Sequence, residues 1–563
     1  MNTFKDVRNP FYGGGRSNQG DLFQVNSETL TKNFLQLLRY KKDFGNHSLE
    51  VLAAHESNDY ERSEISAYKG KAVIPSIYEL DNFIVNLQPP SGYSEGRTLE
   101  SYFGQVNYDF SDKYYLTASL RRDGSSRFAF DKWDTFGSVG AAWIISNESF
   151  LADNSFLTFL KVKGSYGVTG DENGVGFYTG IDTFDVSNLN GEFAFSIRNV
   201  GNPDLTWETS SQYQAGVEFS LGKYFDASID YYIKDTDNLI FDRRIPLSTG
   251  QSTITVNDGE LRNSGIEFDL TGHLFSTSDF SLDLNLNGAV YTNEITRMPI
   301  DPSTNEEAIL NRSGFYAWST GSSIFDYYMR EWAGVDPSDG APMWFQYFDD
   351  ANGNNQLDTG EAAIQSLSTY LDANPSATVA RRVTKNYSLA TDKYVGKSSI
   401  PDVAGAFRLT GKYKNFNFST QFTYQIGGYA YDAQYGELMS DRFGAVGNNY
   451  STDIRNRWQQ PGDITSVPRL ADGIDQNSTS TSTRFLIKAD YLALNNILVG
   501  YTLPSKFLDN TGIDQVNLYV SGDNLFVKTE RDGFNPTTRE GGNTGRRLYA
   551  PLTTFTMGAK VKF

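Results

Sequence analysis

The sequence predicts an all-β chain, an antiparallel transmembrane β-barrel wall with long extracellular loops. Three observations predict it. In the closing stretch, Phe563, Val561, Ala559, Met557 and Phe555 fall on one face, and Lys562, Lys560, Gly558, Thr556 and Thr554 on the other. Period 2 is the signature of a strand, whose successive side chains point to opposite faces. Second, the same alternation recurs along the chain, with Leu, Ile, Val, Phe and Tyr set against Asp, Asn, Ser, Thr and Gln. Third, the connections alternate between short turns and long loops, as in membrane barrels with short turns on one side and long loops on the other. Periodicity alone does not separate this from a sandwich, where the apolar face would be buried; the regular alternation of connections favours the barrel.

Composition fits that class. The chain has 563 residues, with 34 Tyr, 39 Phe and 51 Gly. Aromatic residues favour strands, and aromatic girdles mark membrane barrels. Apolar runs such as Ala141-Ala142-Trp143-Ile144-Ile145 are far too short for a spanning helix. A barrel strand needs an apolar residue only at every second position, so an unremarkable hydropathy does not exclude it. There are 0 Cys, which excludes disulfides and thiolate metal sites. The three histidines, His47, His55 and His273, are too scattered for a histidine metal centre or a Ser-His-Asp triad. A net charge of −19 argues against a nucleic-acid partner.

In chain order, residues 1–21 read as an N-terminal loop segment rich in Gly and Asn, and 22–563 as the barrel portion. Two long strands, 22–43 and 47–66, meet at Phe44-Gly45-Asn46. Residues 67–98, with Pro89-Pro90, read as a long loop. Tyr102, Gly104, Val106, Tyr108 and Phe110 then form one strand face. After Ser111-Asp112-Lys113, Leu116, Ala118 and Leu120 form the next. Strands follow through Phe136–Ile145, Leu160–Val168 and Trp207–Leu221. The cleanest sets Phe225, Ala227, Ile229, Tyr231 and Ile233 against Asp226, Ser228, Asp230, Tyr232 and Lys234. Two more follow, around Ile266–Leu274 and Phe280–Val290. Residues 296–402 are the largest insertion, long enough to hold structure of their own. A hairpin, 403–413 and 416–426, precedes strands near 484–503 and 514–527 and the last strand.

The count is roughly fifteen strands, where bacterial barrels have even numbers. With Phe563 on the periplasmic side, counting back places the segment before residue 22 outside the cell. Met1–Arg8 carries no apolar leader. The chain therefore reads as the back part of a larger barrel, entered within an outer loop.

Several segments together resemble the SusC/RagA family of TonB-dependent outer-membrane transporters. They are Tyr114–Phe128 with Arg121-Arg122-Asp123-Gly124-Ser125-Ser126-Arg127, Lys163-Gly164-Ser165-Tyr166-Gly167, and Asn202-Pro203-Asp204-Leu205-Thr206-Trp207-Glu208. Further on come Asp230-Tyr231-Tyr232-Ile233-Lys234, Tyr491–Pro504 and Ser521-Gly522-Asp523-Asn524-Leu525-Phe526. The spacing of Thr556, Gly558, Val561 and Phe563 is similar to the C-terminal assembly signal of outer-membrane barrels. The resemblance runs from about residue 20 to 563 in the family's order. It implies a barrel of about 22 strands, of which this chain holds the C-terminal portion without the plug. It implies import of oligosaccharides or peptides and a SusD-like surface lipoprotein as lid. It also implies a TonB complex acting through an N-terminal part absent from this sequence, outer-membrane lipid around the wall, and no enzyme activity.

The sharpest local motif is Asp350–Glu361. Asp350, Asn352, Asn354, Gln356, Asp358 and Glu361 occupy the ligand positions of an EF-hand loop, with Asn355 where Gly is usual. A structural Ca2+ is the expectation, and an ion-free Asp/Asn/Gly turn the alternative. The Asp123–Arg127 loop reads as a tight turn with a paired Arg rather than a ligand contact. Trp318, Tyr327, Tyr328, Trp332, Trp344 and Tyr347 suit the core of the 296–402 insertion, with stacking on sugar rings as the alternative. Asp226, Asp230, Glu267, Asp269 and Asp283 sit on regular strands. They read as a hydrated lumen wall rather than as paired glycosidase carboxylates. A soluble or surface-attached β-rich glycan-binding module is the rival from another class, and a secreted glycosidase a third.

Overall fold

The computed structural model describes residues 2–151, 154–301, 305–440, 449–470, 475–509, 512–536 and 551–563. Sixteen strands form one sheet, numbered here along it. They are β1 (Asn2–Arg8), β2 (Asp21–Phe44), β3 (His47–Ala72), β4 (Phe83–Phe110), β5 (Tyr114–Ser125), β6 (Trp133–Ile144), β7 (Leu157–Asp171) and β8 (Glu208–Leu221). They continue as β9 (Phe225–Asp237), β10 (Glu260–Ser276), β11 (Phe280–Arg297), β12 (Val403–Tyr413), β13 (Phe416–Ile426), β14 (Tyr491–Thr502), β15 (Gln515–Thr529) and β16 (Thr554–Lys562). Sheet order equals chain order, as in an antiparallel meander whose every connection joins neighbours. The contacts divide the chain into two units. One is Met1–Ala141 with Ser165–Ser211 and Thr236–Asp258; the other is Ala142–Gly164 with Gln212–Asp235 and Gly259–Phe563.

Turn chemistry sets the short connections. Gly45 takes φ +60° between Phe44 and His47, which pair directly across the tightest turn; a two-residue hairpin needs that left-handed backbone. Lys414 adopts φ +51° in the equally tight turn between β12 and β13. No helix is long and apolar enough to cross a membrane among the described residues, which says nothing of crossing by strands.

The structure corrects two readings of the first hundred residues. Residues 1–21 are not all loop, because Asn2–Arg8 pairs with Asp21–Ser27 and a short 3-10 helix follows at Gly13–Asn18. The stretch 67–98 is mostly strand, since β3 runs to Ala72 and β4 begins at Phe83. Pro89-Pro90 is tolerated there because the ladder slips at that point: Ser66 faces Ser91 while Tyr68 faces Gln88. The prolines fall in that irregularity, where no ladder N–H is demanded of them.

The insertion, 298–402 between β11 and β12, has a fold of its own. Pro342–Asp349 is its central strand, paired with Trp332–Val335 on one side and Val379–Thr384 on the other. Its inward residues Trp344, Gln346 and Phe348 are buried, and Arg382 Nε donates to Gln346 Oε1 at 2.9 Å. A second small sheet, with Asp326–Arg330 and Asp392–Ser398, places Tyr327 and Met329 in a core shared with Tyr431, Met439, Ile454, Val467 and Phe485.

Candidate functional site

The functional feature is a wall with two unlike faces, clearest where β3, β4 and β5 lie side by side. The ladder aligns residues in rows: Leu49–Tyr108–Leu116, Val51–Val106–Ala118 and Ala53–Gly104–Leu120. All nine are apolar or aromatic. The intervening rows point to the other face: Ser48–Asp109–Tyr115, Glu50–Asn107–Thr117, Leu52–Gln105–Ser119, Ala54–Phe103–Arg121 and Glu56–Ser101–Asp123. All but Leu52, Ala54 and Phe103 are polar.

Burial on β5 is the reverse of a water-soluble strand. Leu116 and Leu120 are 48% and 63% exposed, while Thr117, Ser119 and Arg121 between them are partly covered. Arg121 Nε donates to Asp123 Oδ1 at 2.7 Å, and its Nη2 reaches Ser101 Oγ at 2.7 Å and Glu56 at 3.3 Å. A soluble protein would hide the leucines. A continuous apolar face of this width is stable in contact with hydrocarbon and costly in contact with water. The expected segregation of apolar and polar side chains to opposite faces is therefore present on these strands.

The short-turn end carries an aromatic cluster on the apolar face. His47 stacks on Phe44 at 5.1 Å and lies 4.8 Å from Phe110, which is 6.2 Å from Tyr114. The second unit repeats the pattern beside its own turns: Phe275 with Phe280 at 5.7 Å, Phe280 with Tyr413 at 6.5 Å, and Phe416 with Tyr501 at 4.7 Å. Amphipathic rings collect where hydrocarbon meets head groups.

The polar face is laced with ion pairs. In the second unit Lys163 Nζ lies 2.9 Å from Asp230 Oδ1 and 3.0 Å from Glu218 Oε1, and Lys161 Nζ 3.3 Å from the same glutamate. His273 is held between Asp226 at 3.0 Å and Asp283 at 2.7 Å. Asn285 Nδ2 donates to Asp269 at 2.7 Å. Glu267 sits opposite Ala289 on the same ladder. These acids are thus spread along the polar strand face, and Asp226, Asp230, Asp269 and Asp283 are engaged by cations or amides. They do not converge as a catalytic pair.

Arg127 is structural, as its tight turn suggests. Its Nη1 donates to the carbonyls of Glu172 and Val175 at 2.9 and 2.6 Å, and its guanidinium lies 4.9 Å over Phe177. Burial lowers its pKa, partly offset by Glu172. Glu172 also pairs with Arg97 at 2.6 Å. Among the insertion aromatics, Tyr327, Tyr328 and Trp344 are fully buried. Trp332 packs edge-on against Trp344 at 5.5 Å, and Trp344 against Tyr387 at 5.3 Å. Tyr327, Tyr328 and Trp344 thus belong to a core and are closed to a sugar, whereas Trp318, Trp332 and Tyr347 are half-buried.

The Asp350–Glu361 loop is folded around its first residue. Asp350 is 3% exposed, and its carboxylate accepts the N–H groups of Asn354 and Asn355, both at 3.0 Å. Asn355 takes φ +60°, the backbone that Gly usually supplies there. The Asn352 and Asn354 side-chain amides donate to Asp358 at 2.9 and 2.7 Å and hold its carboxyl below the usual range. Gln356 N–H donates to Asn354 Oδ1 at 2.7 Å. Glu361 Oε2 accepts from Asp358 N–H at 2.9 Å, whereas Oε1 is buried without a hydrogen-bond partner. No group of three acidic or histidine side chains placed to hold a metal occurs among the described residues. The six candidates share one loop, but their carboxylates do not converge. The sequence reading missed Arg122, which stands on the apolar face; its period-2 partners Leu116, Ala118 and Leu120 were the available signal.

The family model described as TonB dependent receptor-like, beta-barrel matches residues 2–317, more than half of the chain. TonB-dependent receptor P3 of Formosa agariphila is 29% identical over 96% of this chain and 53% of its own length. TonB-dependent receptor SusC of Bacteroides thetaiotaomicron is 26% identical over 93% of this chain and 49% of its own. The chain spans about half the length of the curated relatives it matches. Among solved structures, the RagAB peptide importer in its open-open state superposes with a TM-score of 0.78 at 24% identity. That match covers 97% of this chain and 56% of that one, and it speaks for the fold alone.

Proposed function

This chain belongs to the TonB dependent receptor-like β-barrel family of outer-membrane proteins, and from that premise we propose that it forms part of the wall of a SusC-like nutrient importer. The inverted burial on β5, with Tyr102, Val106 and Phe110 of β4 also exposed, carries the reading, because exposed leucines opposite an ion-paired polar face suit lipid on one side and water on the other. The polar face, with Lys161, Lys163, Glu218 and Asp230, lines a hydrated path. The 298–402 insertion lies in a long connection and helps to form the outer mouth. A periplasmic C-terminus follows if the short turns face the periplasm.

The cargo we propose is an oligosaccharide or a peptide. The likeness to SusC favours the first and that to the RagAB peptide importer the second. A SusD-like lipoprotein is the proposed lid, and the TonB complex the proposed energy source, acting outside this stretch of sequence. The mechanism is gated passage, not chemistry. The 350–361 loop is a proposed Ca2+ site, supported by the buried, unpaired Glu361 Oε1 at the position of a bidentate ligand. Calorimetric titration with calcium tests this, and no heat at millimolar ion removes the proposal.

Detergent extraction and gel migration with and without heating test the main reading. A membrane wall partitions with detergent and migrates differently when boiled. A glycan-binding module, the rival reading, would stay in the aqueous fraction and migrate the same.

A further inference from the structure

We propose that the outward face of β3, β4 and β5 seats one acyl chain of a phosphate-bearing lipid, with the Arg122 guanidinium taking the phosphate. This rests on the reading of that face as lipid-facing. A shallow groove of about 680 Å3 runs over these strands. Its floor is made of small residues, Ala53, Gly104 and Ala118, and its sides of Tyr102, Val106 and Leu120. The floor is low because Ala53 and Gly104 are ladder neighbours, with Leu120 beside them. The two apolar rows Val51–Val106–Ala118 and Ala53–Gly104–Leu120 thus leave a channel where larger side chains would have made a flat surface.

Arg122 stands at one end of the groove, in the row His55–Tyr102–Arg122. It lies eight residues along β5 from Tyr114 in the aromatic cluster of the short-turn end. That is about 27 Å of strand, or about 20 Å along the membrane normal at a typical strand tilt. A barrel's apolar band is about 25 Å tall, so Arg122 falls at the opposite interface. Its neighbours agree with that level. Tyr102 and Trp133 stack with centroids 6.1 Å apart, and the guanidinium lies 6.0 Å from the Trp133 ring. Tyrosine, tryptophan and arginine are the residues that anchor at the head-group boundary.

The charge of Arg122 is uncompensated. Glu100, the nearby acid on the same face of β4, is engaged by the Tyr102 hydroxyl at 2.6 Å and His55 Nε2 at 3.2 Å. No carboxylate lies within 4 Å of the Arg122 guanidinium among the described residues, whereas Arg121, one residue earlier, is held by Asp123 and Glu56. A guanidinium at a lipid interface without a protein anion matches a phosphate oxygen pair bidentately. The groove itself gives little net attraction, since lipid tails are as apolar as leucine. It orients the chain, and the charge selects the head group.

Quenching of Trp133 by brominated lipid tests the proposal. The purified chain is reconstituted in neutral vesicles doped with brominated phosphatidic acid, brominated diacylglycerol or a brominated fatty acid. The Trp133 signal is the difference between wild type and Trp133→Phe. Phosphatidic acid is expected to quench it at about tenfold lower mole fraction than diacylglycerol, as suits one charge-assisted bidentate contact. Arg122→Gln should abolish the preference, and Gly104→Leu, which fills the floor, should weaken quenching by all three. Heat-modifiable migration of each variant checks folding. Equal quenching by phosphatidic acid and diacylglycerol, or by fatty acid and phosphatidic acid, overturns the proposal, as does a preference that survives Arg122→Gln. If no brominated lipid quenches Trp133, the lipid-facing reading itself fails.

Discussion

The wall and the insertion obey opposite rules of burial. On β5 the leucines stand exposed while threonine, serine and arginine are partly covered. On Pro342–Asp349 the alternation has the same period, yet Trp344 and Phe348 are buried to within 1%. Both are regular strands, so backbone geometry does not cause the difference. The medium on the apolar side does. The insertion meets water and must make its own interior, whereas the wall can leave its apolar face to hydrocarbon. Period 2 therefore specifies a strand, and only the partner of the apolar face specifies the environment.

Truncating the insertion core should have the largest effect. Trp344→Ala is expected to destabilise the insertion by about 3–5 kcal/mol, the usual cost of emptying a buried aromatic site. Hydrogen exchange should show the loss confined to 298–402 and 427–490, with β3–β5 unchanged. If the wall loosens equally, the two regions do not follow separate rules.

Next in size is a charge on the apolar face. Ala118 lies midway between the levels of Tyr114 and Arg122. Ala118→Arg should therefore cost about 2–4 kcal/mol in a bilayer. Denaturant titration in vesicles measures it, with Thr117→Arg as the polar-face control expected to cost much less. Equal costs would erase the contrast between faces.

Smaller still is the ion ladder. Lys163→Gln should cost about 1 kcal/mol or less, because its partners face water and are screened. Its expected readout is a more negative lumen, measured as altered ion selectivity in planar bilayers.

The smallest effect is a pH response in the insertion. Lys385 hydrogen-bonds Asp336 and holds its carboxyl well below the usual range, and does the same to Asp339 at 3.0 Å. A depressed folded-state pKa contributes stability that is present above the unfolded carboxylate value, about 3.9, and fades as pH falls through the folded one. Thermal melts should thus be flat in this respect from neutrality to about pH 4 and decline below it. Lys385→Met should reduce that acid-limb decline, leaving the part set by the Ser338 and Ala341 hydrogen bonds.

Much of this was legible in the sequence, and for identifiable reasons. The rows of β4 and β5 could be read because Gly104–Phe110 and Leu116–Leu120 alternate without a break. The insertion aromatics could be assigned to a core because they cluster in a stretch long enough to bury them. Asn2–Arg8 could not be read, since its apolar residues Phe4 and Val7 fall on opposite faces and pairing with Asp21–Ser27 makes it a strand. Pro89-Pro90 misled because a ladder slip on the partner strand is invisible locally. Arg122 was overlooked within an Arg-Arg pair whose members face opposite ways, although its period with Leu116, Ala118 and Leu120 places it on the apolar face.

The absence of native cysteine makes the central claim directly measurable by single-cysteine spin labelling from Tyr115 to Arg121 in reconstituted vesicles. Labels at Leu116→Cys, Ala118→Cys and Leu120→Cys should relax with dissolved oxygen and resist a water-soluble nickel chelate. Labels at Thr117→Cys and Ser119→Cys should do the reverse. Uniform accessibility along the strand, or nickel contact at Ala118→Cys, would contradict a wall with lipid on one face and water on the other.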